Sequence, residues 1–538
     1  MLSLLAAVSM TLTFVYLLGI LQTHAGWLSL NKAEAKSKEY LFSQLNKLGS
    51  LIKTRVNAWS FLLNGPAMID DAYKKANGAP FIIDVPENRY HFVSTWEHIQ
   101  EIDAVPDTIL SLTAAAKEIL QPEYTMHKFN WAVSRNKDAV PLNRTLGTYL
   151  TNWMPNLLPE LRRRLMVTFD RHIQAAPLRN GMAQTPVSIQ LKRIRHPSLF
   201  PILIESVAQS NIVALFGEDL LQNKEFMKRG VGFIENTLII SEIVRVLPSV
   251  IAHPIGRFLA RTFNSQNIIF DTLNPIVEQR LEERERKKMG QVVPVHHDCI
   301  QWIIDGTTKA WNAERIVHEL IALWFGSVHI TSTTAFFVLQ DLCLHPEYIP
   351  MIRQDIERVG WDSFDQSKGR DFPLLDSFMK ESSRLNPVES MSTRRIALKP
   401  FGLSGGHQVP AGEWVCTAPR AMHRDPTFYV EASEFHGFRF VEPAIFEKFL
   451  STTWFEIPEH GKASEFNSVP DWQLWGTGRN ACPGRFYASA LIKSMLALFI
   501  MNYDMELIEA STDFIGDLSI IREQVASYYF DRDPLPSR

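Results

Sequence analysis

One short stretch constrains this chain more than any other. Trp475-Gly476-Thr477-Gly478-Arg479-Asn480-Ala481-Cys482-Pro483-Gly484-Arg485 runs directly into the apolar sequence FYASALIKSMLALFI. Glycine admits positive φ and lets backbone approach a flat group closely, so a glycine-rich loop around one cysteine can act as a cradle. The apolar run that follows reads as a buried helix, whose first amides and positive dipole end would point at the sulfur. Both effects favour thiolate over thiol. Cys482 is therefore the candidate ligand, while the rival reading of the same stretch is a tight turn ahead of a packing helix.

The other cysteines, Cys299, Cys343 and Cys416, sit among apolar neighbours and read as inert core residues. No CxxC pair occurs, which argues against a zinc site and a disulfide framework and for a reducing, cytosol-facing body. With 55 Lys+Arg against 58 Asp+Glu the net charge is -3, so nothing in the balance suits a nucleic-acid backbone. A hydrophobic share of 46%, with 33 Phe and 13 Trp, indicates a globular chain with a bulky aromatic interior.

Leu2 to Leu21 carry no charge, and about 20 residues at 1.5 Å rise just cover a ~30 Å hydrocarbon layer. The expected organisation is a single-pass anchor over 1–25, a membrane-proximal tether over 26–80 with a turn at Gly65-Pro66, and a catalytic body over 81–538. The alternative is a cleaved signal peptide ending at Thr23-His24-Ala25. Lys32, Lys36 and Lys38 follow the span, which places the body in the cytosol. The Asn143-Arg144-Thr145 sequon would then be unused.

Strand signals fill Phe81 to Thr95 and return at Arg394–Leu398, Gln408–Thr417 and Ala526–Phe530. Helical patterns occupy most of the rest, so the expected architecture is mainly α with a minor β-sheet assembled from distant segments. Arg280 to Gly290 (RLEERERKKMG) mixes both charge signs and reads as a solvated helix end. Asn312 to Leu344 has no proline and one glycine, Gly326, and predicts one long helix through the core that ends at Pro346.

Taken together these motifs resemble the cytochrome P-450 superfamily, whose heme loop reads Phe-x-x-Gly-x-(Arg or His)-x-Cys-x-Gly. Gly478, Cys482 and Gly484 match; Trp475 replaces the phenylalanine and Asn480 the basic residue. The resemblance implies that Trp475 walls the sulfur, with an indole N–H available to donate. It also implies that Asn480 and Arg479 meet a heme propionate, with Arg394, Arg395 and Arg144 as further propionate partners. It assigns Glu381-Ser382-Ser383-Arg384 to the family's Glu-x-x-Arg helix, with Arg439 completing a buried structural cluster. In the long helix, where the family carries an acid and then an alcohol over the distal heme face, this chain has His329 and Ile330. Ile330 cannot donate a proton, and Thr331 is rotated by about 100°. Either Thr331 bonds its own backbone, or His329, water or a substrate hydroxyl completes proton delivery.

The fold implied is the cytochrome P-450 fold, with heme b ligated by Cys482. Electrons from NADPH would arrive through NADPH-cytochrome P-450 reductase, with cytochrome b5 as a second donor. The expected activity is oxidation, typically hydroxylation, of a hydrophobic small molecule, expected to be a fungal terpenoid, prenylated alkaloid or polyketide. The pocket would lie under Phe325 to Thr331, with walls near Met391 and Ile520. The rivals are desaturation, ring coupling or rearrangement on the same cofactor, and a heme-binding membrane protein without turnover.

Overall fold

Apolar residues at helical spacing dominate after residue 95, and the chain responds with helices. The structure is a computed structural model that describes residues 60–505 apart from 62–63, 86–87, 130–139, 177, 181–192, 196–197, 248, 308–310, 447–464 and 470–471. The expected anchor, Ile520 and the expected strand at Ala526–Phe530 lie outside the described residues. The principal helices begin with α1 (64–76), α2 (Trp96–Ala104), α3 (Thr151–Ala175), α4 (Leu199–Phe216), α5 (Lys224–Val246) and α6 (Ser249–Phe263). They continue with α7 (Ser265–Lys288), α8 (Ala313–Ser327), α9 (His329–Leu344), α10 (Ile349–Gln366), α11 (Pro373–Leu385) and α12 (Arg485–Asn502).

The β part is small and drawn from remote segments, as its sequence signals imply. β1 (Phe81–Asp84), β2 (Arg89–Val93), β3 (Leu110–Ser111), β6 (Ser392–Ala397) and β9 (Trp414–Thr417) form one sheet in the order β1-β2-β9-β6-β3. β2 and β9 run parallel, with Tyr90 opposite Trp414, and their rings stack at 4.9 Å. Two short hairpins complete it: β4 (Leu178–Asn180) with β5 (Arg193–Arg195), and β7 (Phe401–Gly402) with β8 (Gln408–Val409). The first hairpin and β3 were not expected, since two or three residues carry no alternation pattern to detect.

Three expectations need correction. Gly65 and Pro66 lie inside α1 rather than in a turn, because proline is tolerated in a first helical turn. α1 also belongs to the folded body: Ile69 and Tyr73 are buried against the sheet, and Tyr73 Oη donates to Asp425 Oδ2 at 2.7 Å. Arg280 and Glu283 are buried, with Arg280 Nη2 3.2 Å from Asp298 Oδ2, so the charged stretch is solvated only beyond them.

The long core helix is in fact two. α8 and α9 meet at Val328, whose φ of −91° and ψ of −62° interrupt the ladder. The cause lies in the hydroxyls nearby. Ser327 Oγ donates to Trp324 O at 3.1 Å, Thr331 Oγ1 to Ser327 O at 2.8 Å and Ser332 Oγ to Val328 O at 2.8 Å. Such back-bonding competes with the backbone amides and bends helices.

Among the described residues, α4 and the run 313–344 are long and apolar enough to cross a membrane, yet 67% and 50% of their most apolar windows are buried inside the body. They pack as core helices. Beneath them α12 is buried from Ser489 to Ile500.

Close packing fixes where α12 sits. Gly369, at φ +74°, abuts Ala490, and a Cβ there would meet the Ala490 methyl well inside contact distance. Gly369→Ala should therefore lower stability by about 2–4 kcal/mol, combining overpacking with left-handed strain. Chemical denaturation of the two proteins measures it, and equal midpoints would contradict this packing.

Candidate active site

The cysteine loop is held by backbone before any side chain acts. Cys482 N–H donates to Trp475 O at 2.7 Å, closing the loop across its base, while Gly476 (φ +73°) and Gly478 (φ +55°) turn it. Gly478 is required for a second reason: a Cβ would lie 2.7 Å from Asp103 Cγ at the end of α2. Asp103 Oδ1 accepts from Thr477 Oγ1 at 2.9 Å and lies 3.8 Å from Arg395 Nη2. The loop is thus docked on α2 through one carboxylate, whose pKa burial pushes up.

Burial also pushes the Cys482 thiol up, opposed by the Gly484 amide, the Arg485 charge and the Arg485 amide; the Arg485 guanidinium itself donates to Cys482 O at 2.9 Å. A Cβ on Gly484 would stand 3.9 Å from Sγ, so glycine keeps the space beside the sulfur open. By contrast burial raises Cys299, Cys343 and Cys416 with no amide aimed at them. They are inert core thiols.

Trp475 has a different partner from the sulfur. Its Nε1–H donates to Phe466 O at 2.8 Å, and the Phe466 amide donates to Asp376 Oδ1 at 3.1 Å. Asp376 Oδ2 in turn accepts from the buried Lys493 Nζ at 2.8 Å. A continuous path of hydrogen bonds therefore ties the cysteine loop to an ion pair between α11 and α12. Phenylalanine at 475 could not join it.

The structure brings Glu381, Arg384 and Arg439 together. Arg384 Nε and Nη2 donate to Glu381 at 2.7 and 2.9 Å, and Arg439 Nε spans both carboxylate oxygens at 3.1 and 3.0 Å. The arginines also donate to the carbonyls of His423, Val430, Glu431 and Glu434, so the long segment before the cysteine loop is gathered around one buried carboxylate. Burying these charges is tolerable because every one is paired.

The residues read as propionate partners are drawn elsewhere. Arg479 Nη2 donates to Val105 O and lies 3.4 Å from Asp107 Oδ1. Arg394 binds Glu389 Oε2 at 2.8 Å, while Arg395 donates to Arg394 O at 2.9 Å. Arg144 is exposed, its guanidinium 5.2 Å from the Tyr149 ring. Asn480 differs: its Oδ1 is buried with no hydrogen-bond partner among the described residues, as is Arg485 Nε. Two polar groups beside the cysteine are thus left for a bound group.

Across the α8–α9 break, Gly326 and Ile330 share a face, with open space beside Gly326 and Ile330 43% exposed despite being hydrocarbon. The Thr331 hydroxyl is committed to Ser327 O. His329 is turned from it, its Nε2 3.8 Å from Glu235 Oε1 on α5.

A family model for cytochrome P450 matches residues 105–517. The chain belongs to the cytochrome P450 family. Curated relatives include cytochrome P450 monooxygenase 71 of Postia placenta, 25% identical over 85% of this chain and 86% of that one. Cytochrome P450 monooxygenase paxP of Penicillium paxilli is 24% identical over 83% and 81% respectively. Among solved structures, the retinoic acid bound cyanobacterial CYP120A1 superposes with a TM-score of 0.58 at 14% identity, covering 82% of this chain and 89% of that one, and shows the same mainly α fold. As a cytochrome P450, the protein is a monooxygenase that uses heme b with cysteine thiolate ligation and NADPH-derived electrons through a reductase.

Sequence reasoning missed Asp103, Asp376 and Glu235. Each acts across elements far apart in the chain, and no local pattern marks them. The Asp376 contribution has a measurable sign. Burial raises its pKa from 3.8 to about 6 against the pull of Lys493. The folded protein then holds this proton more tightly than the unfolded chain, so the contribution is full below about pH 4 and is lost as pH rises to about 6. Asp376→Asn should flatten that part of the stability–pH profile, measured by melting across the window. Parallel profiles would speak against it.

Proposed function

We propose that Cys482 is the axial thiolate of a heme b and that the enzyme oxidises a hydrophobic secondary metabolite. The observation that carries the first part is the sulfur itself, met by two amides and an arginine charge with glycine-kept space beside it. Bound heme would supply dioxygen activation, with Cys482 as the residue that would hold its iron. The protein's own part is to set two amides and the Arg485 charge against the burial that raises the thiol, to exclude water and to present the substrate. Trp475, Gly478 and Gly484 shape the cradle; Arg485 Nε is the orphaned donor suited to a propionate, and Asn480 joins it through its amide N–H rather than through its acceptor Oδ1, in place of Arg479, Arg394 and Arg395, which are drawn elsewhere.

Resemblance to fungal monooxygenases supports a fungal small-molecule substrate, and our reading within that class is a terpenoid, prenylated alkaloid or polyketide. The hydrocarbon face of Gly326 and Ile330 suits an apolar skeleton. A second reading, desaturation, ring coupling or rearrangement, gains support from the Thr331 hydroxyl being taken up by the Ser327 carbonyl. NADPH-cytochrome P-450 reductase, with cytochrome b5 as a second donor, supplies the electrons. Leu2–Leu21 anchor the chain in the endoplasmic reticulum membrane with the body cytosolic. Val250 and Phe258, 85% and 67% exposed on α6, offer the body an apolar contact with the same surface.

Reduced protein under carbon monoxide should show the absorption band of a thiolate-bound heme, and Cys482→Ala should abolish it. An unchanged band in that variant would remove Cys482 from its role. Product analysis in cells that co-express a reductase and receive terpenoid, alkaloid and polyketide feeds separates hydroxylation from the second reading.

A further inference from the structure

A monooxygenase turnover consumes a substrate C–H, one O2, two electrons and two protons, and yields an alcohol and one water. The electrons come from NADPH, but the protons must reach a buried site through the protein. The α8–α9 junction is where the alcohols should serve, and most are occupied: Ser327, Thr331, Ser332 and Thr334 all donate to backbone carbonyls three or four residues earlier. Two polar groups there are left over. Both ring nitrogens of His329 are buried without a hydrogen-bond partner among the described residues, and so is the Thr333 hydroxyl. Positions 329 and 333 share one helix face, so the orphaned groups lie one turn apart. Buried polar groups in native proteins are rarely left unpaired, and a face with two such groups is a place for bound water.

The neighbour that connects this face to solvent is Glu235. It reaches from α5 to within 3.8 Å of His329 Nε2, with its side chain 36% exposed against 16% for the imidazole. That separation exceeds a direct hydrogen bond, so a small closing movement or one bridging water completes the link. Where the family pattern has an acid on the long helix, this chain has a base there and an acid on the facing helix.

We propose that Glu235 and His329 form the proton-entry pair of this enzyme, in place of the missing alcohol at 330. Glu235 takes a proton from solvent and passes it to His329 Nε2, and His329 releases the proton held on Nδ1 to water on the Thr333 face. The pair is back at its starting charge once the Nδ1 proton has left, and tautomer exchange through the bound water returns the remaining proton from Nε2 to Nδ1 before Glu235 takes up the next one. His329 is the proton carrier, and Glu235 is a positioning and supply residue that acts through it. This rests on the monooxygenase reading above.

The test uses the full chain with reductase and NADPH, without added substrate, so that no unidentified ligand is needed. The measured quantities are NADPH and O2 consumed and hydrogen peroxide released. Glu235→Gln and His329→Gln should each lower the share of electrons that ends in water about 5–10-fold. The double variant should be no worse than His329→Gln alone, and Glu235→Asp should recover part of the loss. Imidazole nitrogen NMR of the resting protein, with the His329 signals assigned by the His329→Gln variant, should shift in Glu235→Gln. Unaltered electron partitioning in Glu235→Gln, additive losses in the double variant, or an unmodified protein that releases all its oxygen as peroxide would overturn the pair. Each variant is first checked under carbon monoxide. A normal thiolate band with unaltered partitioning sinks the relay alone, whereas no band in the unmodified chain sinks the monooxygenase reading and the relay with it.

Discussion

Everything around the cysteine depends on one buried carboxylate. Glu381 is fully enclosed, and the two arginines that neutralise it spend their remaining donors on carbonyls spread from His423 to Glu434. Such a centre has no tolerance for partial occupancy, because removing one member strands charge in a low-dielectric interior at a cost of order 3–5 kcal/mol. Between His423 and Glu442 the chain forms neither helix nor strand. Its path is set instead by where these guanidinium groups can find oxygen.

From that fixed point the loop is tied down twice more. Asp103 docks its tip to α2, and the Trp475–Phe466–Asp376–Lys493 path ties its base to the helices behind it. The loop is thereby held by contacts that do not involve the sulfur, which leaves the space at Gly484 available. Rigidity behind and openness in front are what a ligand-bearing loop requires.

Much of this was legible in the chain because it is local. The glycine pattern around Cys482, the i, i+3 spacing of Glu381 and Arg384, and the apolar run of α12 each announce themselves within a dozen residues. The minor sheet was legible for the same reason wherever strands reach four residues. What the sequence hid was relational. Nothing near Arg479 says that its guanidinium turns to Val105, and nothing near Trp475 says that its indole serves Phe466. The break at Val328 was hidden because a serine- and threonine-rich helix looks continuous until its hydroxyls choose carbonyls over solvent.

That choice shapes what the enzyme can recognise. With the hydroxyls of residues 327, 331, 332 and 334 folded back along the helix axis, the face shared by Gly326 and Ile330 offers only carbon and hydrogen to whatever lies beside it. A surface of that kind discriminates by volume and contour, and one methylene more or less changes binding by only about 1–3 kcal/mol. Where such a face meets a substrate, the position that reacts is chosen by shape rather than by hydrogen bonds.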